Sequence, residues 1–202
     1  MAVTGVRLYG IVARPERNGA PPAPGTAVVA VRDLGAVVRQ APYAPVEGRD
    51  EEIEDYREVV EGAFERGSIL PAPFGVVFRS TEQVAHWLQM HYIALTEGMH
   101  LVEGRCEARV HVRAREDGMA EADLAALATD VFRGLRRRAI MSVPLRRSGD
   151  RLSVSAAFLI ERTRWEEFGD ALAAQARRCE DALIESTGPW PPYDFVRMDL
   201  GV

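Results

Sequence analysis

The most regular pattern in the chain is an alternation of apolar and polar residues from Arg105 to Arg115. A period of two predicts a β-strand with one buried face and one solvated face. The elements predicted after it are, in order, a helix over 119–138, strands over 139–145 and 151–162 around a turn at 147–150, a helix over 163–183 and a short strand over 194–198. This order, β-α-β-β-α-β, is that of a ferredoxin-like fold.

The half of the chain before Gly104 is less regular but also mixes strands with helices. Its predicted elements are strands over 6–12, 26–31 and 36–38, a helix from Asp50 to Arg66, a strand late in 68–78 and a helix from Ser80 to Met99. The segment 13–25 holds four prolines and two glycines, which predicts a loop. We therefore expect an α+β protein of two domains. The N-terminal α+β domain covers 1–104 and is a rearranged relative of the ferredoxin-like arrangement, and the C-terminal ferredoxin-like domain covers 105–202.

Composition narrows the class of protein. A chain of 202 residues with 47% hydrophobic and 27% charged residues can bury a core, which excludes disordered and fibrous proteins. The net charge of -5 argues against non-specific nucleic-acid binding. No apolar run reaches about 18 residues and the N-terminus lacks a signal-peptide pattern, so we expect a cytoplasmic protein with no membrane contact.

The residues that could carry chemistry do not form catalytic or metal-binding patterns. All 25 cationic residues are arginine, so the lysine of a phosphate-binding loop or of a Schiff-base enzyme is absent. Cys106 and Cys179 occupy apolar phases, which favours buried thiols over a disulfide or metal site. The four histidines share no helix face, and no nucleophile motif or glycine-rich dinucleotide motif occurs. We predict no catalytic residues, no cofactor and no metal.

Two stiff segments combine proline, glycine and aromatic residues. They are Leu70–Gly75, which contains Phe74 and Gly75, and Gly188–Tyr193, which contains Trp190, Pro192 and Tyr193. Because proline fixes its own φ angle, such segments present aromatic side chains with little entropy left to lose, which suits a protein contact. Alternatively, Trp190 and Tyr193 pin the chain terminus to the core. The residues alone leave both interpretations open.

Four segments, in the correct order, carry a resemblance to a known family. They are RGSILPAPFGVVF over 66–78, RCEARVHV over 105–112, LSVSAAFLIER over 152–162 and GPWPPYDF over 188–195. Each resembles a motif of the gas vesicle protein F/L family, and the last is the most specific. The chain departs from the family pattern at Tyr56, Val76 and Ala108, where His, Thr and Trp are common. The family's linker between the two halves is almost absent between Glu116 and Met119.

The resemblance implies two α+β domains related to the ferredoxin-like arrangement and a non-enzymatic role in building gas vesicles. The expected partners are the small hydrophobic shell protein and other gas vesicle accessory proteins. The expected location is the cytoplasm and the gas vesicle. The chain is expected to act as an assembly factor and could also be a minor component of the shell. The residues expected to contact the shell protein, or to support that contact, are Phe74, Gly75, Trp190, Pro192 and Tyr193.

Two other functions are alternatives to this one. A ferredoxin-like scaffold can host a small-molecule-binding or catalytic site in a cleft between the two domains, with converging arginine and glutamate side chains. Nucleic-acid binding through Arg109, Arg113 and the Arg136–Arg138 run is the third possibility. It is disfavoured by the net negative charge and by the lack of aromatic residues between those arginines.

Overall fold

The structure is a computed structural model that describes residues 3–13, 21, 23–115, 119–146 and 153–198. The described chain divides into two compact units. The first unit comprises the described residues up to Glu103 together with those from Pro191 onward, and the second comprises those from Gly104 to Trp190. The boundary near Gly104 lies where the pattern changes, whereas the residues after Trp190 belong to the first unit and not to the second.

The first unit is a five-stranded antiparallel sheet with helices. Its elements are β1 (Thr4–Ala13), β2 (Ala27–Val31), β3 (Leu34–Pro42), α1 (Asp50–Arg66), β4 (Ile69–Pro71), β5 (Val77–Phe78), α2 (Thr81–Met90), α3 (Tyr92–Val102) and a 3-10 turn at Tyr193–Phe195. The strand order is β2-β3-β1-β4, and β5 also pairs with β1. Strands β2 and β3 are neighbours because they form a hairpin closed by Arg32 and Asp33.

Both faces of this sheet are covered. One face packs with α2 and α3 in a core that includes Leu8, Ile11 and Leu88, each fully buried. On the other face, Tyr9 of β1 contacts α1, since its hydroxyl donates to Asp55 and its ring stacks with that of Tyr56. Burying a large apolar side chain contributes roughly 1.5–3 kcal/mol, so these two layers hold the unit together.

The helix starts follow from local hydrogen bonding. The carboxylate of Glu52 accepts the backbone N–H groups of Gly48 and Arg49, both at 3.1 Å, and so satisfies donors at the start of α1. Ser80 caps α2 by accepting the N–H of Gln83 at 3.3 Å. The single helix expected from Ser80 to Met99 is present as two helices, because the backbone of His91 (φ -102°, ψ 11°) departs from helical geometry.

The second unit contains β6 (Arg105–Ala114), α4 (Glu121–Arg136), β7 (Met141–Pro144), β8 (Ser153–Glu161), a 3-10 turn (Arg162–Arg164), α5 (Trp165–Arg178) and β9 (Ala182–Trp190). The strand order is β7-β8-β6-β9, and all pairs are antiparallel. The first strand therefore lies between the third and the fourth, which is the ferredoxin-like arrangement. The strands of the first unit have the same spatial order. The predicted α+β fold class, ferredoxin-like after 104 and modified ferredoxin-like before it, is confirmed.

Three predictions about the second half need correction or fall outside the described residues. Helix α5 ends at Arg178, earlier than expected, and the strand predicted over 194–198 is wrong, because the last strand is β9 and a 3-10 turn follows it. Apolar residues at 179 and 183 continue the helical phase of α5, so the periodicity hid the start of β9. The predicted turn at 147–150 lies outside the described residues.

Candidate functional site

Phe74 and Gly75 form the turn that follows β4. The two residues before the turn, Ala72 and Pro73, differ in exposure, since Ala72 is buried and Pro73 is exposed. Gly75 has φ 84°, a conformation that L side chains rarely adopt, and a Cβ there would lie 3.4 Å from Cβ of Val46. Phe74 itself is 37% exposed, so a residue on a fixed backbone turn is open to solvent.

Four aromatic rings of the first unit meet around Tyr56, and we call them the aromatic cluster: Tyr9, Tyr56, Phe74 and Tyr193. The centre of the Tyr56 ring lies 5.6 Å from that of Phe74, edge to face, 6.2 Å from that of Tyr9 and 6.5 Å from that of Tyr193. Such pairs contribute roughly 0.5–1.5 kcal/mol beyond their buried area. Tyr56 therefore joins two of the predicted residues, Phe74 and Tyr193, which are 119 positions apart in the sequence.

Asp55 of α1 lies beside this cluster and pairs with three side chains, two through hydrogen bonds and one through an ion pair alone. The Tyr9 hydroxyl donates to Oδ2 of Asp55 at 2.7 Å, Arg39 forms an ion pair and hydrogen bond with Oδ1, and Nη1 of Arg7 lies 3.7 Å from Oδ2. Burial, followed by the hydrogen bond to Asp55, raises the pKa of Tyr9 to about 12. The hydroxyl is therefore a proton donor across the physiological range.

Arg7 connects the charged group to the exposed ring. Its side chain is only 9% exposed, and its Cζ lies 5.0 Å from the centre of the Phe74 ring and 5.5 Å from that of Tyr9. Guanidinium groups at such distances attract the faces of aromatic rings. The Phe74 ring is thus held from one side by Arg7 and from another by Tyr56.

Tyr56 is fixed to the segment before the turn. Its hydroxyl donates to the carbonyl oxygen of Ala72, and burial raises the pKa of Tyr56 above its usual value. This hydrogen bond fixes the backbone one residue before Pro73. Tyr56, which departs from the residue common in the resembling family, is therefore a structural centre of the site.

The C-terminal segment reaches the same cluster. Pro191 and Pro192 are buried, and Tyr193 begins a 3-10 turn in which the N–H of Phe195 donates to the carbonyl of Pro192 at 3.3 Å. Val196 and Met198 pack against the core enclosed by α2 and α3. The segment is thus part of the first unit, and Tyr193 contributes a half-buried ring to it.

Trp190 lies in the second unit, at the end of β9. It pairs with Glu107 of β6, and its indole N–H donates to Oγ1 of Thr187 at 3.0 Å. At Gly188 (φ 132°) a Cβ would lie 2.7 Å from the carbonyl oxygen of Glu107, so only glycine fits there. This part of the strand is held tightly against β6.

Glu107 differs from its expected environment. The alternation in β6 placed it on a solvated face, but it is fully buried and forms an ion pair with Arg109 at 2.7 Å. A charged residue without solvent is stable only when it is paired and hydrogen-bonded. The alternation predicts which residues share a face of the strand, but it does not predict whether other residues cover that face.

The structure therefore brings Phe74, Gly75 and Tyr193 into one assembly and keeps Pro192 beside it, while Trp190 belongs to the other unit. Four residues of the charged group beside the cluster are not among the predicted site residues: Arg7, Tyr9, Arg39 and Asp55. One signal could have found part of this group, namely an arginine and a tyrosine within the otherwise apolar strand β1. The pairing with Asp55 needs the packing of α1 on the sheet, which no local pattern contains.

The thiols and histidines of the described residues show no reactive arrangement. Cys106 is buried, and this burial raises the pKa of its thiol to about 11, so it is inert. Nδ1 of His111 lies 2.8 Å from the Ser155 hydroxyl, and burial lowers the pKa of His111. Within the described residues, no group of three or more His, Cys, Asp or Glu side chains is placed to hold a metal ion. Over the same residues, we find no helix both long and apolar enough to cross a membrane.

Comparison with known proteins gives consistent results. A family profile described as gas vesicle synthesis protein GvpL/GvpF matches residues 5–125 and 118–197. The chain is 28% identical over 176 residues to gas vesicle protein F2 of Halobacterium salinarum, covering 86% of this chain and 81% of that protein. It is 26% identical over 201 residues to gas vesicle protein F of Haloferax mediterranei, covering 96% and 93% respectively.

Two crystal structures resemble the chain in fold. The gas vesicle protein GvpF from Anabaena sp. PCC7120 matches with a TM-score of 0.84 at 19% identity, covering 97% of each chain. GvpF from Microcystis aeruginosa matches with a TM-score of 0.77 at 17% identity, covering 96% of this chain and 99% of the other. At these identities the likeness shows a shared fold.

Proposed function

The chain belongs to the gas vesicle synthesis protein GvpL/GvpF family, and from that premise we propose that it is a non-enzymatic assembly factor that binds the small hydrophobic shell protein. Taking part in gas vesicle formation follows from the family itself. Binding of the shell protein is our proposal. We also propose that the chain associates with other gas vesicle accessory proteins, and that it is located in the cytoplasm and at the forming vesicle. A shell protein with exposed apolar surface needs a partner until it is incorporated, because such surface aggregates in water.

The observation that supports this role is the exposed Phe74 ring on its rigid support. Exposed aromatic rings on ordered backbone are typical centres of protein contacts, since they bury large area at a small entropy cost. Here the turn geometry at Gly75, the guanidinium of Arg7 and the Tyr56 ring all restrict Phe74 before any partner binds. The ring is therefore preorganised for an apolar partner.

The other predicted residues divide by role in this proposal. Gly75 sets the turn, Tyr193 contributes one ring to the aromatic cluster, and the buried Pro192 precedes it in the C-terminal segment. Trp190, in the second unit, is proposed as a separate contact, and its indole is oriented by Thr187. We expect Phe74 and Trp190 to touch the shell protein.

The proposal is tested by co-expressing the tagged chain with the shell protein and measuring how much shell protein is captured from the soluble fraction. We expect Phe74→Ala to reduce capture at least tenfold and Trp190→Ala to reduce it by a smaller factor. Tyr43→Ala is the matched control, because Tyr43 is also an exposed aromatic residue, at 42%, but lies outside the aromatic cluster.

Circular dichroism of each purified variant establishes that the fold is retained. Failure of the wild-type chain to capture any shell protein would refute the proposed role. Equal losses in Phe74→Ala and Tyr43→Ala would refute the assignment of Phe74 as the contact.

A further inference from the structure

Strand β2 is an edge of the first sheet and has an unusual composition. It reads Ala-Val-Val-Ala-Val and contains no charge, proline or glycine. Its inner side pairs with β3 over all five residues without a register shift. Within the residues that the structure describes, no strand pairs with its outer side. An unpaired apolar edge of this kind is a template for another strand.

The hairpin turn determines which main-chain groups face outward. Arg32 and Asp33 close the hairpin, and the pair Val31 and Leu34 flanks this two-residue turn. Such turns close on a hydrogen-bonded pair, and hydrogen-bonded positions alternate along an antiparallel ladder. The N–H and C=O groups of Val28 and Ala30 therefore point away from β3. We call these four groups the β2 edge.

The other sheet edges carry features that discourage strand addition. Strand β7 ends in Pro144, which has no N–H group to donate. Strand β9 contains Glu185 and Pro189 and pairs with β6 through a register shift. Strands β4 and β5 are only three and two residues long. Short strands, prolines, charges and bulges are the known protections of an edge, and β2 has none of them.

The β2 edge is also held in place before any partner binds. Val29 and Val31 pack against the core enclosed by α2 and α3. At the turn, the Tyr92 hydroxyl donates to Asp33 at 2.6 Å, and Cζ of Arg32 lies 4.4 Å from the centre of the Tyr92 ring. Just before β2, the carbonyl oxygen of Pro24 accepts a hydrogen bond from Arg39 of β3 at 2.8 Å.

We propose that the β2 edge binds an extended, uncharged segment of the shell protein as an additional strand of the sheet. This inference rests on the proposed function, because it names the part of the partner that is bound. Main-chain groups select an extended backbone, and the uncharged Ala and Val side chains of β2 select small or β-branched apolar residues beside them. A charged segment would place its charges against apolar neighbours without a counter-charge in β2.

The first experiment removes an outward donor without changing the inner ladder. Ala30→Pro eliminates the outward N–H, and Ala30→Val keeps it while adding side-chain volume at an exposed position. In the co-expression capture described above, we expect Ala30→Pro to lower captured shell protein at least tenfold and Ala30→Val to leave it within twofold of wild type. Ala30→Lys, which keeps the backbone but places a charge at the edge, is expected to lower it at least fivefold.

The second experiment is hydrogen exchange on the wild-type chain with and without captured shell protein. Strand addition protects outward amides, so we expect exchange at Val28 and Ala30 to slow at least tenfold in the complex. This measurement needs no variant and therefore decides the question if Ala30→Pro fails to fold.

The outcomes separate this inference from the proposed function. The binding of the shell protein to the β2 edge would be refuted in either of two cases, while the assembly role would stand. In the first, wild type and folded Ala30→Pro capture the same amount of shell protein. In the second, wild type captures shell protein but the Val28 and Ala30 amides are not protected. No capture by wild type would overturn both. A wild-type dimer in sedimentation that Ala30→Lys converts to monomer would assign the edge to a second copy of the chain and overturn the shell protein as its occupant.

Discussion

At the scale of single residues, Asp55 is the acceptor on which the candidate site depends. It is one-third exposed, yet it receives the Tyr9 hydroxyl and ion pairs from Arg7 and Arg39. Isolated surface ion pairs contribute little, whereas a buried hydroxyl that loses its acceptor costs its full desolvation. The bond from Tyr9, a residue only 1% exposed, is therefore the energetically important contact of the three.

Replacing Tyr9 by Phe tests this ranking. The substitution removes one hydrogen bond to a carboxylate inside the unit, and we expect the free energy of unfolding in urea at pH 7 to fall by about 1–2 kcal/mol. Tyr92→Phe is the matched control, because it also removes a hydroxyl that donates to an aspartate, but Asp33 is exposed. We expect a smaller loss for Tyr92→Phe. Equal losses would show that burial does not set the contribution.

The same variant has a characteristic response to alkaline pH. The pKa of Tyr9 is raised from 10.0 to about 12 in the folded chain, so its neutral form is favoured by folding. The contribution of Tyr9 to the free energy of unfolding is therefore at its full value below pH 10 and is lost as the pH rises toward 12. Urea unfolding should therefore show a shallower decline of stability above pH 10 in Tyr9→Phe than in wild type. Parallel curves for the two chains would contradict the assignment.

At the scale of elements, the sequence predicts what local periodicity encodes and misses what tertiary contacts decide. The alternation in β6 and the helical spacing of α1 and α4 are strong because each element has one buried face, and all three are present close to their predicted bounds. The burial of Glu107 depends on what covers its face of β6, and the break at His91 leaves no mark in the apolar spacing. Phe74 and Tyr193 are predicted as site residues because each lies in a segment with a local pattern of proline and aromatic residues. Tyr9 and Asp55 are not predicted, because their contact is tertiary and no local pattern contains it.

Glycines inside helices provide a prediction at this scale. Gly169 lies in α5, is exposed, and has no atom within 4 Å of the Cβ that an alanine would add. Glycine costs roughly 0.5–1 kcal/mol relative to alanine in a helix interior, so Gly169→Ala should raise the free energy of unfolding by about that amount. Gly98→Ala in α3 is the control, since its Cβ would lie 3.2 Å from Leu70. A gain at Gly98 as large as at Gly169 would show that Leu70 gives way without cost.

At the scale of the whole molecule, the first unit is discontinuous in sequence. The chain leaves it after Glu103 and returns at Pro191, and the returning segment supplies buried prolines, the Tyr193 ring and apolar side chains for the core. Contacts between residues this far apart close a long loop, which costs chain entropy. Completion of the candidate site therefore depends on the last part of the chain.

Truncation of the C-terminal segment measures this dependence. A chain that ends after Trp190 loses Pro191 to Met198 and exposes the ring of Tyr56 and the core beside α3, whereas a control chain that ends after Met198 keeps every one of these contacts. Hydrogen exchange resolved by residue should then show amides of β1, β3 and α1 exchanging at least tenfold faster in the shorter chain, because the free energy of opening the first unit has fallen. The control chain should match wild type. If the two truncated chains exchange alike in these elements, the C-terminal segment only covers the first unit without stabilising it, and support of Phe74 must come from Arg7 and Tyr56 alone.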